Sequence, residues 1–297
     1  MIGNQIALTI FILCAAMADA NWTTLNGNNQ RTGYIDADLK SPFKVAWVRH
    51  FANERLGTAV EPIVADGKLF TATHSGRVHA LDAETGQWIW SFQANGPFLH
   101  SPAFSNGIVV SASVDGYLYA IDSDDGSLNW SFFLGHGGAS ASPMIEDHKV
   151  FIGTRKGDFL AVNLENGKLI WRKYFNVPIR QTASYYDNKV YFTAEDMIVR
   201  CLSAENGDLL WASEQLVGQT ARDYYPVIAK SGDQVYFIIR TNPVINMARL
   251  IGRDRHVICQ SEGVDDSGWQ QIDEWTKDPK ALGNMTLWAN EQDNIIK

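Results

Sequence analysis

The sequence lacks the motifs of the common catalytic sites. It has no GxSxG elbow, no HExxH pair, no P-loop and no CxxC, and these patterns mark serine hydrolases, zinc proteases, nucleotide-binding enzymes and paired-cysteine sites. Cysteine is scarce as well: Cys14, Cys201 and Cys259 are the three present, and no two are adjacent. The sequence therefore predicts no catalytic residue and no metal ligand.

Positive charge and long apolar runs are also in short supply. The 25 basic residues against 33 acidic ones give a formal net charge of −8, which argues against binding to nucleic acid or anionic membranes. The apolar run at residues 6–16 is too short for a membrane span and is followed by small residues. It predicts a secretory signal over residues 1–20, cut after Ala18 or Ala20, and a periplasmic or secreted mature chain without a transmembrane span. A buried N-terminal helix is the alternative.

A repeat of about 40 residues is the strongest feature that is present. Its copies read ALDAETGQWIW, AIDSDDGSLNW, AVNLENGKLIW and CLSAENGDLLW. Each ends in a tryptophan, at intervals of 40, 41 and 40 residues: Trp90, Trp130, Trp171 and Trp211. Short β-type runs at this period predict an all-β fold, a β-propeller made of four-stranded blades.

The repeated tryptophans predict a structural interlock between blades. Each follows a glycine by four residues and a small residue by ten, and a large ring needs a shallow surface of Ala or Gly on the neighbouring blade. A ligand-binding role would not require the same residue in every copy. The small residues are Ala80, Ala120, Ala161 and Cys201.

The turns and strand starts have their own regular signals. Asp115-Gly116 predicts a tight hairpin turn whose two central residues both have φ > 0, whereas Met197 in the fourth copy predicts a different turn. A ladder of prolines predicts the first residue of each innermost strand, where the missing N–H is tolerated. The ladder consists of Pro62, Pro102, Pro143 and Pro226, with Ser184 in the remaining slot.

The unit resembles the pyrroloquinoline quinone (PQQ) enzyme repeat, whose signature LYALDAxTGxxxW is matched by VHALDAETGQWIW and LYAIDSDDGSLNW over about residues 57–216. The resemblance implies a PQQ-like propeller with one of two functions. Some members are dehydrogenases that hold PQQ and Ca²⁺ at the hub, and others are non-catalytic scaffolds such as BamB-like outer-membrane assembly factors. Quinoprotein alcohol dehydrogenases often have adjacent cysteines beside the cofactor, and their absence here makes the BamB-like members the closer match.

The two ends of the repeat array depart from its pattern. Residues 43–51 read as a separate outer strand that completes the last blade. After Arg240 the period becomes helical, with Asn242-Pro243 as a helix start and further helices over 265–277 and 286–296. The predicted domains are therefore a propeller over residues 21–241 and a helical insertion or truncated remainder over residues 242–297. Because no closing repeat follows, an incomplete ring is expected.

Candidate binding residues lie just before the innermost strands, where the copies stop agreeing. Variation confined to one rim of a regular frame is typical of a ligand or partner surface, although the same residues suit solvated loops. Arginines there favour a small anionic ligand, and Arg180, Arg222 and Tyr224 are expected together at one mouth of the hub. The residues are Arg55, His100, Arg180, Gln181, Arg222, Asp223 and Tyr224.

Taken together, these features predict an exported, non-enzymatic scaffold that binds a protein or a small anionic ligand and has no assigned cofactor. The alternative is a quinoprotein oxidoreductase, dependent on PQQ and calcium, that acts on alcohols or sugars. Whether Cys201 pairs with Cys259 in an oxidising compartment is left open.

Overall fold

A computed structural model describes residues 9–13, 21–34, 36, 43–51, 53–57, 59–215, 226–231, 234–239 and 294–296. Throughout these ranges the regular secondary structure is β, in 21 strands, and there is no helix. Nor do the described ranges contain any helix long and apolar enough to cross a membrane. The prediction of an all-β fold is confirmed.

The strands form one sheet after another along the chain. β1 (Thr9–Leu13) pairs with β2 (Val45–His50), and four antiparallel sheets of four strands follow in sequential order. The first blade consists of β3 (Ile63–Ala65), β4 (Lys68–Ala72), β5 (Arg77–Asp82) and β6 (Trp88–Gln93), and the second of β7 (Ala103–Ser105), β8 (Ile108–Ala112), β9 (Tyr117–Asp122) and β10 (Leu128–Phe133). The third blade consists of β11 (Met144–Glu146), β12 (Lys149–Gly153), β13 (Asp158–Asn163) and β14 (Leu169–Tyr174). The fourth consists of β15 (Ser184–Tyr186), β16 (Lys189–Thr193), β17 (Ile198–Ser203) and β18 (Leu209–Gln215). A fifth sheet contains β19 (Val227–Ser231), β20 (Gln234–Ile239) and β21 (Asn294–Ile296).

The innermost strand of each blade begins where the proline ladder predicts it. β3, β7, β11 and β19 each start one residue after a proline of the ladder, and β15 starts at Ser184 itself. Proline is accepted there because the residue before the strand makes no ladder hydrogen bond. The end of the hub at which these strands begin is called the proline mouth below, and the opposite end is called the hairpin mouth.

Three expectations for the ends of the chain differ from the structure. Asn294–Ile296, predicted as helix, is β21 and pairs antiparallel with β20, because the open edge of β20 has backbone groups that a strand can satisfy. Thr9–Leu13 is a strand and not part of a buried helix, as suits its β-branched and aromatic residues. It pairs with β2, whereas β2 was expected to complete the last blade. Residues 242–293 of the predicted helical insertion lie outside the described residues.

The hairpin turns between the second and third strands also differ from the prediction. Ser113 N–H bonds to the carbonyl of Tyr117 at 2.9 Å, and only Gly116 in this loop has positive φ, +102°. The loop therefore has three residues, and a loop of that length needs a single left-handed residue. Met197 forms the same turn with φ +61°, and burial of its side chain offsets the cost of that backbone in a residue with a Cβ.

The core lies between blades, and the tryptophans join them. Trp130 of the second blade is 9% exposed, and its Nε1 donates to the carbonyl of Leu164 in the third blade at 2.7 Å. Its ring rests on Gly167, where an added Cβ would come within 2.7 Å of the ring. The small residue is not part of this contact surface, because Ala120 stands opposite Trp130 inside the same blade. The neighbouring surface is the glycine turn.

The same contact recurs along the array. Trp90 and Trp171 make it with the next blade, and Trp47 of β2, which does not belong to the repeat signature, makes it with the first blade. Trp211 is half-buried and packs near Tyr191 of its own blade, with ring centroids 6.2 Å apart. The acceptor and glycine pairs are Ala83 and Gly86 for Trp47, Ser123 and Gly126 for Trp90, and Ala204 and Gly207 for Trp171.

Candidate functional site

The chain fills the hub of the propeller with residues 21–34, called the hub segment below. This segment hydrogen-bonds to the middle part of all five innermost strands, so each blade is tied to it. The paired residues, from the first blade to the fifth sheet, are Trp22 with Val64, Thr23 with Phe104, Asn29 with Ile145 and Tyr185, and Gln30 with Ile228.

Left-handed residues allow the hub segment to wind tightly. Asn26, Gly27 and Arg31 have φ of +56°, +75° and +62°. At Gly27 a Cβ would come within 2.8 Å of the Trp22 ring, so glycine is needed both for its backbone and for this close approach. The motif WTTLNGNNQRTGY therefore folds as a compact plug.

Arg31 fixes the plug with a buried guanidinium. The residue is 1% exposed, and its Nε donates to the carbonyl of Ala183 at 3.1 Å. Its Nη1 donates to Thr24 Oγ1 and to the carbonyl of Leu25, both at 2.7 Å. A buried charge is tolerated only with such acceptors, so these bonds position the hub segment against the fourth blade.

Four of the seven predicted rim residues are described, and two of them, Arg55 and Arg180, are basic. Arg55 is exposed and His100 is half-buried. Arg180 forms an ion pair with Glu195 of its own blade, with Nε and Oε1 2.5 Å apart. Arg222, Asp223 and Tyr224 lie outside the described residues, and their meeting with Arg180 stays a prediction.

Gln181 differs from the other rim residues because it is buried, at 1% exposed. Among the described residues neither its Nε2 nor its Oε1 has a hydrogen-bond partner, and the same is true of the buried Ser142 hydroxyl on the adjacent blade. The two blades are joined nearby, where the Ser142 N–H donates to Thr182 Oγ1 at 2.9 Å. Buried polar groups normally have partners, so this part of the proline mouth is suited to a water molecule or a polar ligand group.

A hydroxyl, an imidazole and a carboxylate form a chain of hydrogen bonds beside the first blade. His79 Nδ1 lies 2.7 Å from Ser91 Oγ, and its Nε2 lies 2.8 Å from Glu54 Oε2. Burial lowers the pKa of His79, more than the neighbouring Glu54 raises it. Burial alone would raise the pKa of Glu54, but hydrogen bonds from His79 and Arg77 hold it below its usual value.

The protonation of this chain follows from those directions. An ionised Glu54 only accepts hydrogen bonds, so Nε2 of the neutral imidazole carries the proton and Nδ1 accepts from Ser91. His79 also packs edge-on against Trp88 of the same blade, with ring centroids 4.5 Å apart. Its hydrogen bond to Glu54 fixes that residue to the first blade. Sequence reasoning missed this cluster. The available signal was that the position of His79 varies within an otherwise regular repeat. The equivalent residues in the other three copies are Tyr119, Leu160 and Arg200.

Within the described ranges no three His, Cys, Asp or Glu side chains are grouped to bind a metal ion. Cys201, the cysteine whose side chain is described, is fully buried opposite Trp211 and is not in a disulfide. Burial raises the pKa of its thiol to about 11, so it is a core residue and not a reactive group.

Known proteins resemble this chain at low identity. A family model described as outer membrane protein assembly factor BamB matches residues 44–146 and 134–253. A 1-butanol dehydrogenase (quinone) from Thauera butanivorans is 22% identical over 312 residues, which cover 95% of this chain and 40% of that protein. An outer membrane protein assembly factor BamB from Legionella pneumophila is 27% identical over 54% of this chain and 34% of its own length. The quinohemoprotein alcohol dehydrogenase from Comamonas testosteroni superposes with a TM-score of 0.62 at 17% identity, over 75% of this chain and 46% of that one.

These relatives establish the fold and leave the function open. The solved neighbours are PQQ-type propellers, as the repeat predicts. This chain spans less than half the length of the curated relatives that it matches. Quinoprotein dehydrogenases and assembly factors both occur among them.

Proposed function

Since the chain belongs to the PQQ-repeat family described as outer membrane protein assembly factor BamB, we propose that it is a non-enzymatic propeller that binds a protein of outer-membrane assembly. The observation that carries the proposal is the hub segment. It occupies the centre of the hub and bonds to all five innermost strands. A hub filled by the chain's own backbone suits a rigid scaffold better than a cofactor pocket.

The outer strands support a partner-binding role. β6, β10, β14 and β18 each begin with large apolar side chains that are 39–54% exposed on the perimeter of the blades. Apolar residues repeated on neighbouring edge strands are typical of protein-binding surfaces, because they combine apolar area with free backbone groups. These residues are Trp88, Ile89, Leu128, Leu169, Ile170, Leu209 and Leu210.

Site-specific photo-crosslinking in cells tests this role. A benzophenone amino acid replaces Leu169 or Leu209 on the outer strands, or Lys156 on an exposed turn of the third blade as the matched control. We expect an adduct with an outer-membrane assembly protein at the two outer-strand positions and none at Lys156. No adduct at Leu169 and Leu209, or adducts that are equal at all three positions, would contradict the proposal.

A quinoprotein oxidoreductase is the second candidate, because the similarity to the 1-butanol dehydrogenase extends over 95% of this chain. Purified protein is incubated with PQQ and Ca²⁺ and then assayed for quinone absorbance and for dye reduction with 1-butanol. A scaffold gives neither signal. Saturable PQQ binding with alcohol-dependent dye reduction would replace the scaffold with the enzyme.

The proposed location is the periplasm, after removal of the signal at residues 1–20. Cell fractionation followed by mass spectrometry of the intact protein measures both points. The expected mature chain begins at Asp19 or Asn21, the residues that follow the two predicted cuts. A full-length chain in the cytoplasm would contradict the proposed export.

A further inference from the structure

A cavity of about 420 Å³ opens at the hairpin mouth of the hub. The hub segment forms one wall and parts of three innermost strands form the other: the first two residues of β7 and the last two residues of β11 and β15. None of the described rim residues lines the cavity. A volume of this size is in the range of small-molecule sites. Its lining residues include Asn28, Asn29, Phe104, Glu146, Tyr185 and Asp187.

The hydrogen-bond donors around this cavity are largely used within the protein. Asn28 Nδ2 donates to Thr32 Oγ1 at 2.6 Å and to the carbonyl of Tyr34 at 2.9 Å. Asn29 Nδ2 donates to the carbonyl of Ile145 at 2.6 Å and to Glu146 Oε2 at 2.7 Å. Both amide groups therefore keep their N–H bonds inside the wall and cannot serve a ligand as donors without breaking them.

Acceptors remain in excess. Asn29 Oδ1 is buried and has no partner among the described residues, and the second oxygen of Glu146 is not the one that binds Asn29. The Tyr185 hydroxyl donates its hydrogen bond to Asp147 Oδ2 at 2.9 Å, so it is not available to a ligand as a donor. A site with this balance is complemented by a molecule that brings donors.

The charge around the cavity has the same sign. Glu146 and Asp187 line it, and none of the described lining residues is a lysine or an arginine. Lys189, just outside, is paired with Asp187 at 2.7 Å, while Lys149 stands opposite Glu146 in the β11–β12 ladder without an ion pair to it among the described residues. Tyr185, Tyr186 and Phe104 add aromatic residues to the lining, and aromatic rings can attract cations.

We propose that this cavity binds a small organic cation with a primary ammonium group. The ammonium can donate to the carboxylate of Glu146, and its charge offsets the carboxylates that line the cavity. This is the opposite of the anionic ligand that the rim arginines suggest, and the site is at the other mouth. The inference goes beyond the proposed function and does not depend on it.

Calorimetric titration with 1,4-diaminobutane at low salt tests the site. We expect saturable binding that weakens as salt is raised, because salt screens the attraction between charges. Glu146→Gln removes the charge but keeps an oxygen for Asn29, so it is expected to fold normally and to bind at least about tenfold more weakly, in line with the loss of one ion pair. Glu205→Gln, an exposed carboxylate on a turn of the fourth blade, is the matched control and should bind like the unchanged protein.

Two further ligands separate the sources of affinity. 1,4-Butanediol has the same length without charge and should not bind, whereas Nα-acetyl-lysine amide tests whether a protein lysine can supply the ammonium group. Absence of diamine binding, equal binding of the diol, or equal effects of Glu146→Gln and Glu205→Gln would each overturn the proposal. If Glu146→Gln lowers the melting temperature, the salt dependence and the diol comparison on the unchanged protein still decide it.

Discussion

Replacing Gly167 with alanine tests how the blades are held together. The Trp130 ring rests on this glycine, and a Cβ would lie 2.7 Å from Cδ2 and 2.8 Å from Cε3. The ring has little freedom to retreat, because its Nε1 is bonded to the carbonyl of Leu164 at 2.7 Å. Gly167 also has φ of +68°, so alanine meets two costs, one from the backbone and one from the ring.

Gly67 separates these two costs. Its φ is +71°, but a Cβ there would meet nothing within 4 Å. Left-handed backbone costs an L-residue about 1–2 kcal/mol, so Gly67→Ala should lower the free energy of unfolding by that amount. Gly167→Ala should lose about 1–3 kcal/mol more, the usual range for overpacking a well-packed site.

Urea unfolding of both variants measures the difference, as long as their m-values agree. A double-mutant cycle adds a sharper check: once Trp130→Ala has removed the ring, the additional cost of Gly167→Ala should disappear. If Gly167→Ala and Gly67→Ala are equally stable, or if the additional cost persists without the ring, the interlock does not work by this contact.

Three other predictions concern buried groups. Trp130→Ala should lower the free energy of unfolding by about 3–5 kcal/mol in urea, while Arg55→Ala on the exposed rim should change it by less than about 0.5 kcal/mol; equal losses would rule out the interlock. Because burial lowers the pKa of His79, the unfolded chain binds this proton more readily, so stability should fall as the pH drops below about 6.5. His79→Gln should flatten the stability profile between pH 7 and pH 5, and an unchanged profile would contradict the assignment. With the other two cysteines replaced by serine, Cys201 should resist a thiol reagent at pH 8 until urea unfolds the protein, because burial raises its pKa to about 11; rapid labelling of the folded protein would contradict its burial.

The sequence predicts the features that recur in every blade. Trp90, Trp130 and Trp171 each meet the same kind of glycine turn on the next blade, so a fixed spacing was enough to locate the strands and these interlocks. It was not enough to distinguish the two small positions of the unit, because Ala120 and Gly167 both suit a large ring. Only the pairing of strands assigns Ala120 to the same blade as Trp130 and Gly167 to the next one.

The spacing of the repeat could not predict features that occur only once in the described residues. His79, Glu54 and Ser91 meet although they are 25 and 12 residues apart, and no periodicity connects them. Met197 shows the opposite limit. Its residue type argues against a left-handed turn, but its three-residue loop needs one left-handed residue and burial of the side chain offsets the cost. Tertiary contacts override a local preference of this size.

The length of the innermost strands explains why the hub needs its own segment. β3, β7, β11 and β15 have three residues each, so their inward backbone groups have few partners within the blades. Buried backbone groups have to be paired, and the hub segment supplies the pairs at the middle of every innermost strand. The same backbone forms one wall of the cavity at the hairpin mouth. Stability of the hub and binding at that mouth therefore depend on one segment, so a change that loosens Arg31 should weaken both together.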